Sequence, residues 1–104
     1  MANSEYSIRY TPTFIKQFND ILSYFIHKFN NKIATENFYN EVIKEIENRS
    51  INPKNYEKYI GNKKRKNEYY RIYVKNYTIF YVVIDNVMEI RRILYSKRNF
   101  ERLI

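Results

Sequence analysis

Residues 69–95 contain three runs of aromatic and β-branched residues that are separated by two-residue polar breaks. The runs and breaks are, in chain order, Tyr69–Val74, Lys75-Asn76, Tyr77–Ile84, Asp85-Asn86 and Val87–Tyr95. Runs of this kind joined by short polar turns are typical of β-hairpins. We therefore predict a three-stranded antiparallel meander, whose apolar face requires a second layer to cover it.

Two segments with helical spacing of apolar residues precede the meander and can supply that layer. The first follows Thr11-Pro12, a pair typical of a helix N-cap and first helical position, and its apolar stripe runs from Phe14 to Phe29. The second spans about Lys32 to Arg49, and its stripe consists of Phe38, Tyr39, Val42, Ile43 and Ile46. Only Asn30-Asn31 separates the two segments, so the sequence predicts an antiparallel helical hairpin.

The remaining segments complete the predicted fold. Residues 6–10 alternate apolar and polar side chains, as in a short half-buried strand, and residues 50–62 are interpreted as a loop. Residues 96–104 are predicted to end the chain in a short helix. The result is an α+β fold of two layers in the order β-α-α-β-β-β, with a mainly antiparallel sheet. A chain of 104 residues suits one domain, spanning residues 1–104.

Strand alternation assigns the side chains to the two faces of the sheet. The set predicted to face the helices is Tyr70, Ile72 and Val74, and the set predicted on the open face is Tyr69, Arg71 and Tyr73. In the last strand, strict alternation groups Arg92 with Met88, Ile90 and Leu94, and Arg91 with Glu89, Ile93 and Tyr95. One of the two adjacent arginines is therefore expected to point towards each layer.

The composition excludes several kinds of functional site. The chain has no cysteine, which rules out a disulfide scaffold, a thiolate zinc site and a cysteine nucleophile, and its single glycine rules out glycine-rich phosphate loops. The one histidine, His27, falls off the apolar stripe, and Glu41 and Glu45 lie opposite the core stripe of their helix. We expect no metal and no cofactor.

The positive charge is concentrated in the second half of the chain. The net charge is +8, and residues 51–104 hold 13 of the 19 basic and 5 of the 11 acidic side chains. This asymmetry favours a polyanion or an acidic protein as partner, although compositional bias also produces lysine-rich chains. The densest run, Lys63-Lys64-Arg65-Lys66, is either a phosphate-binding patch or a charged flank that keeps a sheet edge soluble. Without a signal peptide or a long apolar run, we expect a cytoplasmic protein with no membrane partner.

Three segments of the meander and the opening of the first helix resemble a known family. They are Tyr70-Arg71-Ile72, residues 77–83 (YTIFYVV), residues 90–99 (IRRILYSKRN) and Tyr10-Thr11-Pro12. Together they resemble the RelE/ParE superfamily of bacterial toxins from type II toxin–antitoxin (plasmid stabilisation) systems. The resemblance covers nearly the whole chain and implies the same order of elements.

The resemblance implies one of two targets. RelE-like members cleave mRNA in the ribosomal A site, whereas ParE-like members inhibit DNA gyrase. Residue by residue, RelE-like chemistry implies the catalytic set Arg71, Tyr95 and Arg98, with Tyr95 standing where many members have histidine. Two further basic positions of the nuclease fall at Tyr69 and Thr78, which cannot neutralise phosphate. A tyrosine with an ordinary pKa near about 10 also suits the role of base poorly at neutral pH.

We therefore interpret the sequence as a ParE-like gyrase inhibitor that a cognate acidic antitoxin neutralises in a toxin–antitoxin hetero-oligomer. The alternatives are a RelE-like endoribonuclease that acts on the ribosome and mRNA, and a degenerate, non-toxic member that retains only antitoxin binding. The residues expected to bind the target or the antitoxin are Lys63, Lys64, Arg65, Lys66, Arg71, Arg91 and Arg98.

Overall fold

The computed structural model describes residues 6–61 and 65–97 as two helices packed on one face of a five-stranded sheet. The elements are, in chain order, β1 (Ser7–Tyr10), α1 (Pro12–Phe29), α2 (Lys32–Arg49), β2 (Lys58–Tyr59), β3 (Tyr69–Val74), β4 (Tyr77–Ile84) and β5 (Val87–Tyr95). The strand order across the sheet is β1-β5-β4-β3-β2, in which β1 and β5 are parallel and the other neighbours are antiparallel. The predicted α+β two-layer fold is confirmed.

The helix boundaries lie where the sequence predicts them. The Thr11 side chain accepts a hydrogen bond from the Phe14 backbone N–H at 3.1 Å, and Pro12 occupies the first helical position. Asn30 ends α1 in the left-handed conformation (φ 47°), and Asn31 caps α2 by accepting a hydrogen bond from the Ala34 N–H at 3.0 Å. Two adjacent asparagines therefore end one helix and begin the next.

The meander is also confirmed, with both turns at the predicted positions. Lys75 and Asp85, the first residues of the two turns, have positive φ angles of 52° and 54°. Positive φ at this position is a property of the hairpin turns whose twist matches that of the flanking strands. The turn residues thus set the register that brings β3, β4 and β5 together.

The main core lies between the helices and the sheet. Phe38 of α2 is its centre, with ring centroids 4.8 Å from Phe25 and 5.5 Å from Tyr77. The predicted inward set from β3 is confirmed, since Tyr70, Ile72 and Val74 are all buried in this core. The Tyr81 hydroxyl is buried here as well and donates a hydrogen bond to the Pro53 carbonyl at 2.8 Å, which fastens the segment after α2 to the sheet.

Three details differ from the sequence prediction. Lys58 and Tyr59, inside the segment interpreted as a loop, form the edge strand β2 beside Tyr69 and Tyr70. A two-residue strand carries no readable periodicity, so only pairing with β3 defines it. The apolar stripes are only partly buried, since Ile15, Ile26, Phe29 and Tyr39 are exposed. The first strand begins at Ser7 rather than at residue 6.

The predicted C-terminal helix falls largely on residues 98–104, which lie outside the described residues. Neither helix in the described part of the chain is long and apolar enough to cross a membrane.

Candidate functional site

A β-bulge in β5 decides which side chains reach the open face of the sheet, the face turned away from the helices. Phe80 of β4 pairs with Arg92, whereas the next residue, Tyr81, pairs with Ile90, so Arg91 is an extra residue in β5. Phe80 belongs to the small apolar cluster on the open face. Arg92 therefore lies on that face, and so does Arg91, whose guanidinium lies 5.9 Å from the ring centroid of Tyr69.

The prediction that one arginine points towards each layer is wrong, because strict alternation fails at the bulge. Ile90 and Ile93 both lie in the helix-facing core, although three positions separate them. Leu94 is buried in the open-face cluster instead of with Ile90. The bulge accommodates Arg91 and Arg92 on the same side and restores alternation after them.

A carboxylate between two arginines orders one end of the open face. Glu89 accepts hydrogen bonds from Arg9 Nε at 2.8 Å and from Arg91 Nε at 2.8 Å, one on each oxygen. Burial disfavours the charged carboxylate, but the two arginine bonds outweigh it and hold the pKa of Glu89 below its usual value. Partial burial similarly opposes the charge of Arg91, yet hydrogen bonds to Tyr69 and Glu89 raise its pKa.

Tyrosine rings hold the other arginines in place. The Arg71 guanidinium lies 5.3 Å from the ring centroid of Tyr59 and 5.7 Å from that of Tyr73. The Arg65 guanidinium lies 5.6 Å from Tyr59 and 5.4 Å from Tyr69. Cations at these distances are attracted to the electron-rich ring faces. We call Arg65, Arg71 and Arg91 with Tyr59, Tyr69 and Tyr73 the arginine–tyrosine face.

The arginine–tyrosine face is suited to binding anions. Guanidinium groups bind phosphate or carboxylate oxygens through paired hydrogen bonds, and flanking rings add stacking surface. Two acidic side chains contact its arginines: Glu89 is bonded to Arg91, and Glu57 lies 3.5 Å from Arg71 Nη2. Within residues 6–61 and 65–97, no three His, Asp or Glu side chains are grouped so that they could hold a metal ion.

Of the predicted catalytic set, Arg71 and Tyr95 lie on opposite faces of the sheet, and Arg98 lies outside the described residues. Tyr95 pairs with Tyr77, whose ring lies 5.5 Å from Phe38 in the helix-facing core, so Tyr95 lies on the helix side of the sheet. Arg71 pairs with Phe80 and lies on the open face. The predicted grouping of Tyr95 with Arg91 is also wrong, because Tyr95 lies on the helix side of the sheet and Arg91 lies on the open face.

The structure describes some, but not all, of the residues predicted to bind the target or the antitoxin. Arg65, Arg71 and Arg91 share the open face, and Lys66 is exposed beside Arg65. Lys63, Lys64 and Arg98 lie outside the described residues. The sequence analysis missed Tyr59 and Arg9 as parts of this surface, and the pairing of their strands with neighbours is the only signal that places them.

The family model described as the ParE toxin of the type II toxin–antitoxin system parDE matches residues 8–100 of this chain. The chain belongs to the ParE toxin family. The match includes all of β1 except Ser7, both helices and the whole meander, so it covers every residue of the arginine–tyrosine face.

Solved structures show the same fold for this ParE-family toxin. The RelB–RelE antitoxin–toxin complex from Methanococcus jannaschii contains a chain 23% identical, with a TM-score of 0.55, covering 92% of this chain and 99% of that one. The conserved hypothetical protein HP0894 from Helicobacter pylori is 18% identical, with a TM-score of 0.55, covering 89% and 97% of the two chains. Among curated protein sequences, none is similar enough to this chain to count as a match.

Proposed function

We propose that this ParE-family toxin inhibits DNA gyrase, that it contacts its target through the arginine–tyrosine face, and that an acidic cognate antitoxin neutralises it. The observation that carries the choice of gyrase over mRNA cleavage is the placement of Arg71 and Tyr95 on opposite faces of the sheet. Inhibition of gyrase places the action of the toxin in the cytoplasm.

Cleavage of RNA by acid–base chemistry requires proton-transfer groups within hydrogen-bond reach of the scissile phosphate. A phosphate held by Arg71 on the open face would be separated from Tyr95 by the sheet itself. A toxin that acts by binding has no such requirement, because charged and aromatic side chains suffice to hold a protein or nucleic-acid surface. The arginine–tyrosine face supplies both kinds of side chain.

The gyrase proposal is tested by incubating the purified toxin with gyrase, ATP and supercoiled plasmid. We expect linear DNA covalently linked to gyrase to accumulate. Arg71→Ala and Arg91→Ala are each expected to raise the toxin concentration for half-maximal effect about tenfold or more, as for arginines central to an interface. Lys44→Ala removes an exposed positive charge from α2 and serves as the matched control. Absence of gyrase-linked linear DNA across a wide range of toxin concentrations would reject gyrase as the target.

A RelE-like endoribonuclease is the second candidate, and one contact favours it. The Glu57 carboxylate lies 3.5 Å from Arg71 Nη2, so a proton acceptor does stand beside a phosphate-binding group. This activity predicts A-site cuts in mRNA on translating ribosomes that disappear with Arg71→Ala, Glu57→Gln or Arg98→Ala. Intact mRNA in that assay would exclude it, and a toxin inactive in both assays would be a degenerate member.

A further inference from the structure

The segment that connects α2 to β2 leads directly to two side chains at Arg71 but has little apolar packing of its own. Residues 50–57 form neither helix nor strand, and Pro53 alone among them is buried. Glu57 lies 3.5 Å from Arg71 Nη2, and the Tyr59 ring centroid lies 5.3 Å from the same guanidinium. Ordering an irregular segment costs conformational entropy, so contacts with other elements must hold it in place.

Arg49, the last residue of α2, contacts this segment and β3 at the same time. Its guanidinium lies 3.8 Å from the ring centroid of Tyr56. Its Nη1 donates a hydrogen bond to the backbone carbonyl of Arg71 at 2.9 Å. A cation so close above a ring is attracted to the electron-rich ring face. Arg49 therefore links the connecting segment to the strand that carries Arg71.

The carbonyl that Arg49 binds lies just beyond the pairing of β2 with β3. β2 pairs with Tyr69 and Tyr70, and Arg71 is the next residue of β3. There Arg49 supplies a hydrogen-bond donor from α2. Arg71 is thus held at two points, because Arg49 binds its backbone and the Tyr59 ring contacts its guanidinium.

Tyr81 attaches the same segment to the core. Its hydroxyl donates a hydrogen bond to the Pro53 carbonyl at 2.8 Å. Burial raises the pKa of this hydroxyl, and a hydrogen bond with Arg49 opposes the rise, so the two side chains are in contact. By contrast, the ion pair between Lys58 and Glu68 is exposed on both sides, and water and salt weaken it. The contacts of Arg49 are therefore the stronger attachment of the two.

Arginine suits this position better than lysine. A planar guanidinium can lie over the Tyr56 ring and still donate in its own plane to the Arg71 carbonyl. A lysine ammonium carries the same charge but is a compact group without a flat face. Replacement of Arg49 by lysine is therefore expected to keep the charge and to lose the attachment.

We propose that Arg49 is a positioning residue for the arginine–tyrosine face: it fastens the segment before β2 to β3, so that the Tyr59 ring keeps the Arg71 guanidinium oriented for the target. This inference rests on the proposed binding of the target through that face. Arg49 acts through the Tyr56 ring and the Arg71 backbone, from the end of the helical layer.

Nuclear magnetic resonance of the free toxin tests the positioning without any target. Aromatic rings shift the resonances of nearby protons, so the side-chain resonances of Arg71 report on the Tyr59 ring. With Arg49→Lys, we expect these resonances to move towards the values of an exposed arginine, and the Tyr59–Arg71 proton contacts to be lost. Tyr56→Leu should have the same effect. Tyr56→Phe keeps the ring face beneath Arg49 and should restore the native values.

Gyrase inhibition tests whether this positioning contributes to function. Arg49→Lys and Tyr56→Leu are expected to raise the toxin concentration for half-maximal effect about fivefold, less than Arg71→Ala, because the Arg71 guanidinium is still present. Val42→Ala is the control for stability, since Val42 of the same helix is completely buried in the helix-facing core. It should inhibit as the native toxin does, at a temperature where circular dichroism shows every variant folded.

Each outcome supports or overturns the proposal. Native Arg71 resonances in Arg49→Lys would overturn the positioning. An equal loss of inhibition with Val42→Ala would show that Arg49 contributes only stability, and unchanged inhibition by Arg49→Lys would show that the orientation of Arg71 does not matter for function. If the native toxin does not inhibit gyrase, the proposed function fails, and the resonances alone decide whether Arg49 orients Arg71.

Discussion

The two faces of the sheet are built from the same strands but are held together by different interactions. On the helix side, aromatic and aliphatic side chains pack into a continuous core around Phe38. On the open side, a small apolar cluster lies among arginines that tyrosine rings and Glu89 keep in place. The first arrangement stabilises the fold, whereas the second leaves guanidinium groups oriented and partly solvated. Alternation along β3 and β4, and the bulge in β5, thus separate the apolar core from the charged face within single strands.

The largest expected difference between the faces is in stability. Phe38→Ala should lower the free energy of unfolding by about 3–5 kcal/mol, because it leaves a cavity among Phe18, Phe25 and Tyr77. Tyr73→Ala on the open face, where the residue is 59% exposed, should cost less than about 1 kcal/mol. Urea unfolding of both variants measures the difference between their free energies of unfolding. Equal losses would mean that the open face contributes as much to the fold as the core.

A smaller effect is expected from the buried hydroxyl of Tyr81. Tyr81→Phe should destabilise the protein by about 1–2 kcal/mol, because the Pro53 carbonyl loses its donor in a buried site. Tyr70→Phe, on the ring stacked 5.1 Å away, is the comparison variant. Unfolding in urea again provides the measurement, and a cost no greater than that of Tyr70→Phe would show that the bond adds nothing.

The same hydroxyl gives the core a dependence on alkaline pH. Burial raises the pKa of Tyr81 to about 12 from 10.0. A raised folded-state pKa contributes stability that is complete below the unfolded value and is lost as the pH rises from about 10 towards 12. The native protein should therefore lose stability more steeply than Tyr81→Phe over that range, as followed by unfolding at fixed urea concentrations.

The smallest expected effect concerns Glu89 and acid pH. Its folded-state pKa is lowered, so its contribution is present above the usual glutamate value of 4.5 and is lost as the pH falls below it. Because Arg9 and Arg91 are partly exposed, we expect less than about 1 kcal/mol. Glu89→Gln should flatten this acid dependence and, more clearly, weaken gyrase inhibition, because Arg91 loses the bond that orients it. If Glu89→Gln loses stability at acid pH just as the native protein does, then the contacts of Glu89 with Arg9 and Arg91 contribute no measurable stability.

Most of the fold could be predicted because its signals are local. Thr11-Pro12, Asn30-Asn31 and the two polar turns each act through their own backbone, and the structure has them where the sequence places them. The bulge at Arg91 and strand β2 could not be predicted, because each is defined by pairing with a distant strand. In the candidate site, alternation along β3 predicts the face of Arg71 correctly, whereas the faces of Arg91, Arg92 and Tyr95 depend on the bulge.

The bulge has a consequence for how this surface can change. The residues before and after it keep their sides whether β5 contains one arginine or two at this place, because the extra residue is absorbed without shifting its neighbours. An in-frame gain or loss of a single codon here would alter the number of guanidinium groups on the open face while Ile90 and Ile93 stay inside. Related toxins that differ in length by one residue at this point could therefore differ in the charge of this face without repacking the core.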